Sequence, residues 1–93
     1  MKSYAVIDRI ERNFAVCEVE LIETQESNSE DYFNHETIMI DIPMILIKEN
    51  VSEVMETDIL IVEHDGDFVI YVYEKSEQEK QRRIAIFKEI MNS

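Results

Sequence analysis

The chain has 93 residues, 45% of them hydrophobic, and its nine Lys and Arg against 21 Asp and Glu give a formal net charge of -12. One Cys, one Pro and one Gly exclude a disulfide scaffold, a collagen-like repeat and a Gly-rich phosphate loop. The length predicts one small domain over residues 1–93. The acidity argues against direct binding to nucleic acid or to an anionic membrane surface, since both are negatively charged. Because Cys17 is the only cysteine, it has no intrachain disulfide partner, which favours a reducing, cytoplasmic location.

A β-hairpin is predicted at the start of the chain. Residues 4–10 and 14–22 are rich in β-branched and aromatic side chains, and a tight turn of Arg12 and Asn13 lies between them. A two-residue loop fixes the register, because side chains alternate between the two faces of a strand. That register predicts one shared face for Tyr4, Val6, Asp8, Ile10, Ala15, Cys17, Val19 and Leu21.

Asp8 is the notable carboxylate of this hairpin, because the register places it on the apolar face opposite Cys17. An unpaired buried carboxylate is costly. Asp8 is therefore expected to accept hydrogen bonds from the backbone or to pair with Arg9 through a bend. A ligand-facing role is the alternative.

Residues 23–36 form a polar stretch without any basic side chain, and they are predicted to be a loop between paired strands. Tyr32 and Phe33 interrupt its polarity. They are expected to anchor the loop on the apolar core, since large aromatic side chains usually find apolar cover. An exposed aromatic contact is the alternative.

A third strand is predicted over residues 38–42, where apolar side chains alternate, and Pro43 ends it or confines it to an edge. Residues 44–51 are predicted to form a bridging segment, and residues 52–57 a turn or a short helical turn. The bridge is expected to bury Ile45, Leu46 and Ile47.

A second hairpin is predicted from two strong β runs, residues 59–63 and 68–74. Asp65 and Gly66 between them are a favoured pair for a type I′ turn. The resulting register places apolar residues on both faces of the hairpin. Each face is therefore expected to pack against another part of the protein. One face carries Ile59, Ile61, Phe68, Ile70 and Val72, and the other carries Leu60, Val62, Val69, Tyr71 and Tyr73.

Tyr71 and Tyr73 share one strand face, an arrangement on which nucleic-acid bases could stack. No Lys or Arg lies between residues 49 and 74, so phosphate groups would find no positive charge there. The two tyrosines are therefore expected to be core residues beneath a helix.

That helix is predicted over residues 77–91, with Ser76 as N-cap and Glu79 completing a capping box. Apolar residues recur at helical spacing and are expected to dock on the sheet. We therefore predict an α+β fold, a small antiparallel, partly open β-barrel or twisted sheet of about five strands, with an SH3-like arrangement as one version and a packed C-terminal helix. The docking residues would be Ile84, Phe87, Ile90 and Met91.

Several segments together resemble a family of small bacterial proteins. The matching segments are Tyr4-Ala5-Val6-Ile7-Asp8-Arg9-Ile10-Glu11, Asn13-Phe14-Ala15-Val16, Ile40-Asp41-Ile42-Pro43, Glu56-Thr57-Asp58-Ile59-Leu60 and Lys80-Gln81-Arg82-Arg83-Ile84. The family is catalogued as domain of unknown function number three thousand and six and is common in Gram-positive firmicutes. The resemblance implies a small β-rich fold and no assigned activity. Family members usually have Gly where Arg12 and Thr57 stand here.

No constellation typical of catalysis is visible in the sequence, so no enzyme, cofactor or metal is predicted. His64 lies among acidic residues, but Asp65 and Gly66 already have a sufficient explanation in the hairpin turn, and a cation site is the alternative. Cys17 falls mid-strand on an apolar face, which favours a buried structural thiol over a nucleophile.

The leading functional hypothesis is a non-enzymatic module that binds a protein partner through an edge strand, the acidic loop or the basic helix face. Lys80, Arg82 and Arg83 are the candidate partner-binding residues of that face, and Arg82→Ala is expected to leave stability nearly unchanged. The alternative is an acidic decoy that occupies a nucleic-acid-binding protein by presenting the carboxylates of residues 53–67 in place of phosphates. Self-association through an uncovered edge strand is also open.

Overall fold

The computed structural model describes residues 1–23 and 36–92. The predicted positions of Tyr32 and Phe33 lie outside the described residues. The elements are β1 (Lys2–Glu11), β2 (Phe14–Glu20), β3 (Thr37–Pro43), α1 (Met44–Lys48), β4 (Ile59–His64), β5 (Val69–Lys75) and α2 (Glu77–Asn92).

The predicted α+β class is confirmed. All strand pairs are antiparallel and form one open sheet in the order β3-β2-β1-β4-β5, with β3 and β5 at its edges. Neither described helix has the length and apolar character needed to cross a membrane.

The hydrophobic core lies between one face of the sheet and the segment that contains α1. Pro43 ends β3, and the next residue, Met44, donates its N–H to Asn13 O at 2.8 Å, which turns the chain back across that face. The core face of the sheet consists mainly of small and β-branched side chains that are fully or almost fully buried: Ala5, Ile7, Ala15, Cys17, Val19, Ile40, Ile42, Leu60, Val62 and Val72.

The expected burial of the bridging segment is correct for Ile47 and wrong for Ile45. Ile47 is completely buried, Leu46 is half-buried and Ile45 is 77% exposed. The reason is that the segment is helical, so successive side chains point about 100° apart and three in a row cannot face the sheet.

The first hairpin has the predicted two-residue turn, but away from the turn, between Arg9 and Ile7, the register shifts by one residue. Arg9 pairs with Val16 as expected, whereas Ile7, not Asp8, pairs with Cys17. Asp8 is thus the extra residue of a β-bulge, and a bulge turns a side chain away from the face that alternation assigns to it.

The placement of Asp8 on the apolar face opposite Cys17 is therefore wrong, while its expected pairing with Arg9 is confirmed. Asp8 is exposed, and its Oδ2 accepts a hydrogen bond from Arg9 Nη1 at 2.9 Å. The same shift moves Tyr4 and Val6 to the second face of the sheet.

The second hairpin turns one residue later than the sequence predicts, with Gly66 and Asp67 as its loop. Asp65 N–H donates to Phe68 O at 3.1 Å, and Gly66 has a φ of 98°. Asp65 Oδ1 accepts the N–H groups of Asp67 and Phe68 at 2.9 and 2.8 Å, and these bonds hold the pKa of Asp65 below its ordinary value. The hydrogen bonds of the Asp65 side chain stabilise the turn at Gly66 and Asp67. They outweigh the preference of Asp65 and Gly66 for the central positions of a type I′ turn.

Two further register shifts follow in this hairpin, so the predicted faces of β5 are also wrong. Val69 and Val72 both face the core, opposite His64 and Val62. Phe68 and Ile70 are exposed.

Thr57 is the one described non-glycine residue with a positive φ, 75°. A β-branched residue is strained in that region, and the backbone is held there because Thr57 N–H donates to Ile7 O at 2.8 Å. We expect Thr57→Gly to raise the free energy of unfolding by about 1 kcal/mol. This gain is the strain energy that is relieved, reduced by the extra conformational entropy that glycine gives to the unfolded chain.

The matched control for this substitution is Arg12→Gly, which lies in an exposed turn without a positive φ. It should lower the free energy of unfolding by a few tenths of a kcal/mol, since only the unfolded chain gains freedom. Urea unfolding compares the two variants, and equal destabilisation by both would contradict strain at Thr57.

Candidate interaction surface on helix α2

Helix α2 is fixed to the sheet at its N-cap, Ser76. Ser76 N–H donates to Ile59 O at 2.8 Å, and Ser76 Oγ accepts the N–H of Glu79 at 3.2 Å. The predicted N-cap is therefore confirmed. The Glu79 carboxylate does not complete the capping box, because it binds two arginines of the next turn.

Arg83 connects α2 to β2 through buried carboxylates. Its Nη1 lies 2.8 Å from Glu20 Oε2 and its Nε lies 2.7 Å from Glu79 Oε2, while its guanidinium lies 5.1 Å from the ring centroid of Tyr4. Arg82 also contacts Glu79, through two nitrogens at 2.8 Å. Glu20 and Glu79 are both buried, so each negative charge is compensated by a cation on α2.

Lys80 connects the same helix to the start of β4. Its Nζ lies 2.8 Å from Asp58 Oδ1, and Lys75 Nζ lies 3.8 Å from Asp58 Oδ2. Burial raises the pKa of the Asp58 carboxyl, but the hydrogen bonds from Lys80 and from Met55 N–H outweigh burial and hold that pKa below its ordinary value. The bond to Asp58 in turn raises the pKa of Lys80.

We call these six residues, Glu20, Asp58, Glu79, Lys80, Arg82 and Arg83, the ionic layer. It contains all three predicted partner-binding residues, because Lys80, Arg82 and Arg83 each form an ion pair within the protein. Lys80 and Arg83 are also largely buried. We therefore expect substitution of these residues to affect the stability of the fold more directly than it affects the binding of a partner.

The apolar side chains in the second half of α2 are exposed. Ile84, Phe87 and Met91 are 39%, 57% and 69% exposed, and their i, i+3, i+7 spacing places them on one side of the helix. We call these three residues the α2 stripe. The expected burial of Ile84, Phe87, Ile90 and Met91 is wrong, since each is exposed.

The physical reason lies in the residues that meet the sheet. The inward side of α2 carries Glu79 and Arg83, followed one turn later by the half-buried Ile86. The cations Lys80 and Arg83 can contact the sheet only because Asp58 and Glu20 on the sheet side neutralise them. The first half of the helix therefore docks through ions, whereas every side chain from Phe87 to Met91 is exposed.

Tyr71 and Tyr73 are also exposed, so their predicted burial beneath the helix is wrong. They pack against each other with ring centroids 4.8 Å apart, and Tyr73 Oη donates to Glu63 Oε1 at 3.2 Å. Lys2 Nζ lies 4.6 Å from the Tyr73 centroid. The helix leaves these side chains uncovered.

Both ring nitrogens of His64 form hydrogen bonds within the protein. Gly66 N–H donates to His64 Nδ1 at 3.1 Å. Nε2 then carries the proton and donates to Ser3 Oγ at 3.1 Å, and Ser3 donates to Ile22 O at 2.7 Å. His64 thereby connects the second hairpin to β1 and to the end of β2.

Cys17 is completely buried, and burial raises its pKa to about 12, which disfavours the thiolate that a nucleophile requires. Within residues 1–23 and 36–92 no group of His, Cys, Asp and Glu side chains has the arrangement of a metal site.

A groove with a cavity volume of about 400 Å³ lies beside α1 and the chain that follows it. It passes under the end of β1 and reaches the end of β5 at Lys75. We call it the α1 groove, and its apolar lining consists of Ile10, Met44, Val51, Val54 and Met55.

No family model, curated protein or solved structure matches this chain. The candidate surfaces are therefore judged on their geometry.

Proposed function

We propose that this protein is a non-enzymatic interaction module that binds a protein partner through the α2 stripe. The observation that carries the proposal is the exposure of Ile84, Phe87 and Met91 along one side of α2. Contiguous exposed apolar side chains on a small protein typically mark an interaction site.

The anchoring of α2 supports this function. The ionic layer and the N-cap hold the first half of the helix on the sheet, so the stripe is presented by an element with a fixed orientation. A preorganised surface loses less conformational entropy on binding than a mobile one. Side chains at positions i, i+3 and i+7 are also the usual anchors of a helix that binds an apolar groove. The partner is accordingly expected to offer such a groove.

The potentially reactive side chains support a non-enzymatic assignment. His64 uses both ring nitrogens in structural hydrogen bonds, and the high pKa of Cys17 keeps its thiol protonated. Both side chains therefore have structural roles.

The test is affinity capture from a bacterial lysate with the immobilised chain, at low and at high salt. We expect Phe87→Glu to abolish capture of the partner at both salt concentrations, because it places a charge at the centre of an apolar contact. The matched control is Ile45→Glu, the same chemical change at a site that is 77% exposed and lies on α1. Capture that is equal with the two variants would contradict a role for the stripe.

The acidic decoy is the second candidate, and the exposure of Glu53, Glu56, Asp65 and Asp67 favours it. Carboxylates that replace phosphates bind through charge, so their complexes weaken steeply with salt. A nucleic-acid-binding partner that is captured only at low salt, and equally by Phe87→Glu, would support the decoy and overturn the stripe.

We further infer a cytoplasmic location and a relationship to the bacterial family that the motifs resemble. The buried, unpaired thiol of Cys17 suits a reducing compartment. The positive φ of Thr57 supports the relationship, since family members usually have Gly at that position.

A further inference from the structure

We propose that the α1 groove binds a small amphiphilic carboxylate, with its aliphatic chain along the apolar lining and its carboxylate at Lys48 and Lys75. This inference is independent of the α2 stripe, because the two surfaces share no residue. It rests on the volume, the lining and the charge of the groove.

The volume and the lining suit a short aliphatic chain. A cavity of about 400 Å³ lies at the lower end of the range for small-molecule sites. Met44 and Met55 belong to its apolar lining, and unbranched methionine side chains adapt to irregular hydrocarbon surfaces.

The lining of the groove carries no net charge, although the whole chain is strongly acidic. Lys48 and Lys75 are balanced by Glu53 and Asp58, and Asp58 is already bound by Lys80 from α2, which leaves the two lining lysines against the Glu53 carboxylate. The whole chain carries -12. An anionic head group is therefore attracted here in spite of the overall acidity.

Lys75 is held where it can receive such a head group. Its Nζ donates to Glu53 O at 3.2 Å and lies 3.8 Å from Asp58 Oδ2, while the closer partner of that carboxylate is Lys80 at 2.8 Å. Because Lys80 and Met55 N–H already bind Asp58, Lys75 keeps hydrogen-bonding capacity for a carboxylate.

The test is a titration of the isotope-labelled chain with octanoate, followed by backbone amide NMR. We expect saturable shifts confined to the residues of the α1 groove. Acetate lacks the chain and 1-octanol lacks the charge, so both should bind at least about tenfold more weakly. Saturable binding of acetate, or binding of 1-octanol as tight as that of octanoate, would overturn the proposal.

Two substitutions with matched controls locate the site. Lys48→Glu should weaken octanoate binding about tenfold, whereas Lys88→Glu makes the same change in net charge on an exposed lysine of α2 and should not. Met55→Ser should weaken binding several-fold, whereas Met39→Ser, at an exposed position on β3, should not.

Equal effects within either pair of variants, or shifts that never saturate, would also overturn the proposal. Phe87→Glu should bind octanoate like the original chain. A failure at the groove is thereby distinguished from a failure at the stripe.

Discussion

Replacing Arg83 with Met is expected to lower the free energy of unfolding by about 3–5 kcal/mol, because removal of one partner leaves buried charges uncompensated. Arg83 lies between the buried carboxylates of Glu20 and Glu79, at 2.8 and 2.7 Å, and its own side chain is 11% exposed. A small domain is stable by only about 5–15 kcal/mol, so this single change would remove a large part of its stability. Urea unfolding at neutral pH measures the effect.

The control for Arg83→Met is Lys88→Met, the same loss of a cation at an exposed position of α2. It should change the free energy of unfolding by less than about 0.5 kcal/mol. Replacing Glu20, Glu79 and Arg83 together with Met should recover most of the loss, since no buried charge of the group remains. If Arg83→Met were no more destabilising than Lys88→Met, the ionic layer would not hold α2 on the sheet.

Asp58→Asn should lower the free energy of unfolding by about 2–3 kcal/mol at neutral pH, the usual contribution of hydrogen bonds to a charged group. The amide oxygen can still accept the N–H of Met55, so the loss reports mainly on the ion pair with Lys80. Asp41→Asn, at an exposed position on β3, is the matched control and should change stability little.

The pH dependence of this difference has a definite sign. The pKa of Asp58 is lower in the folded chain than its ordinary value, so its stabilisation is present above the ordinary Asp pKa of about 3.9. It is lost as the pH falls through the lower folded value. The pKa of Lys80 is raised, so the same contribution also disappears in strong alkali. The difference in free energy of unfolding between the original chain and Asp58→Asn should be smaller at pH 3 than at pH 7. The same difference at both pH values would contradict the ion pair between Asp58 and Lys80.

Local signals in the sequence predicted the elements of the fold well. Strand composition, the break at Pro43 and the cap at Ser76 act within a few residues, and each marks a real boundary. Register was harder to predict, because a bulge at Asp8 changes which residues face the core without leaving any mark in the alternation.

The candidate site was only half visible in the sequence. The spacing of Ile84, Phe87, Ile90 and Met91 predicts that these side chains dock on the sheet, but all four are exposed. A signal was available in Glu20, a carboxylate between Val19 and Leu21 that requires a cation if it is buried. Its partner, Arg83, lies 63 residues away, and nothing local pairs residues so far apart.

The sequence by itself determined the class of fold, the five strands, helix α2 and the acidity, since these depend on composition and on contacts between near neighbours. The tertiary structure decided which side of α2 meets the sheet, because that choice depends on charges that come together only when β2, β4 and α2 assemble. Burying those ions together costs less than leaving any one of them unpaired. The ions hold only the first half of α2 on the sheet, and the exposed apolar side chains at and beyond the end of that half form the α2 stripe.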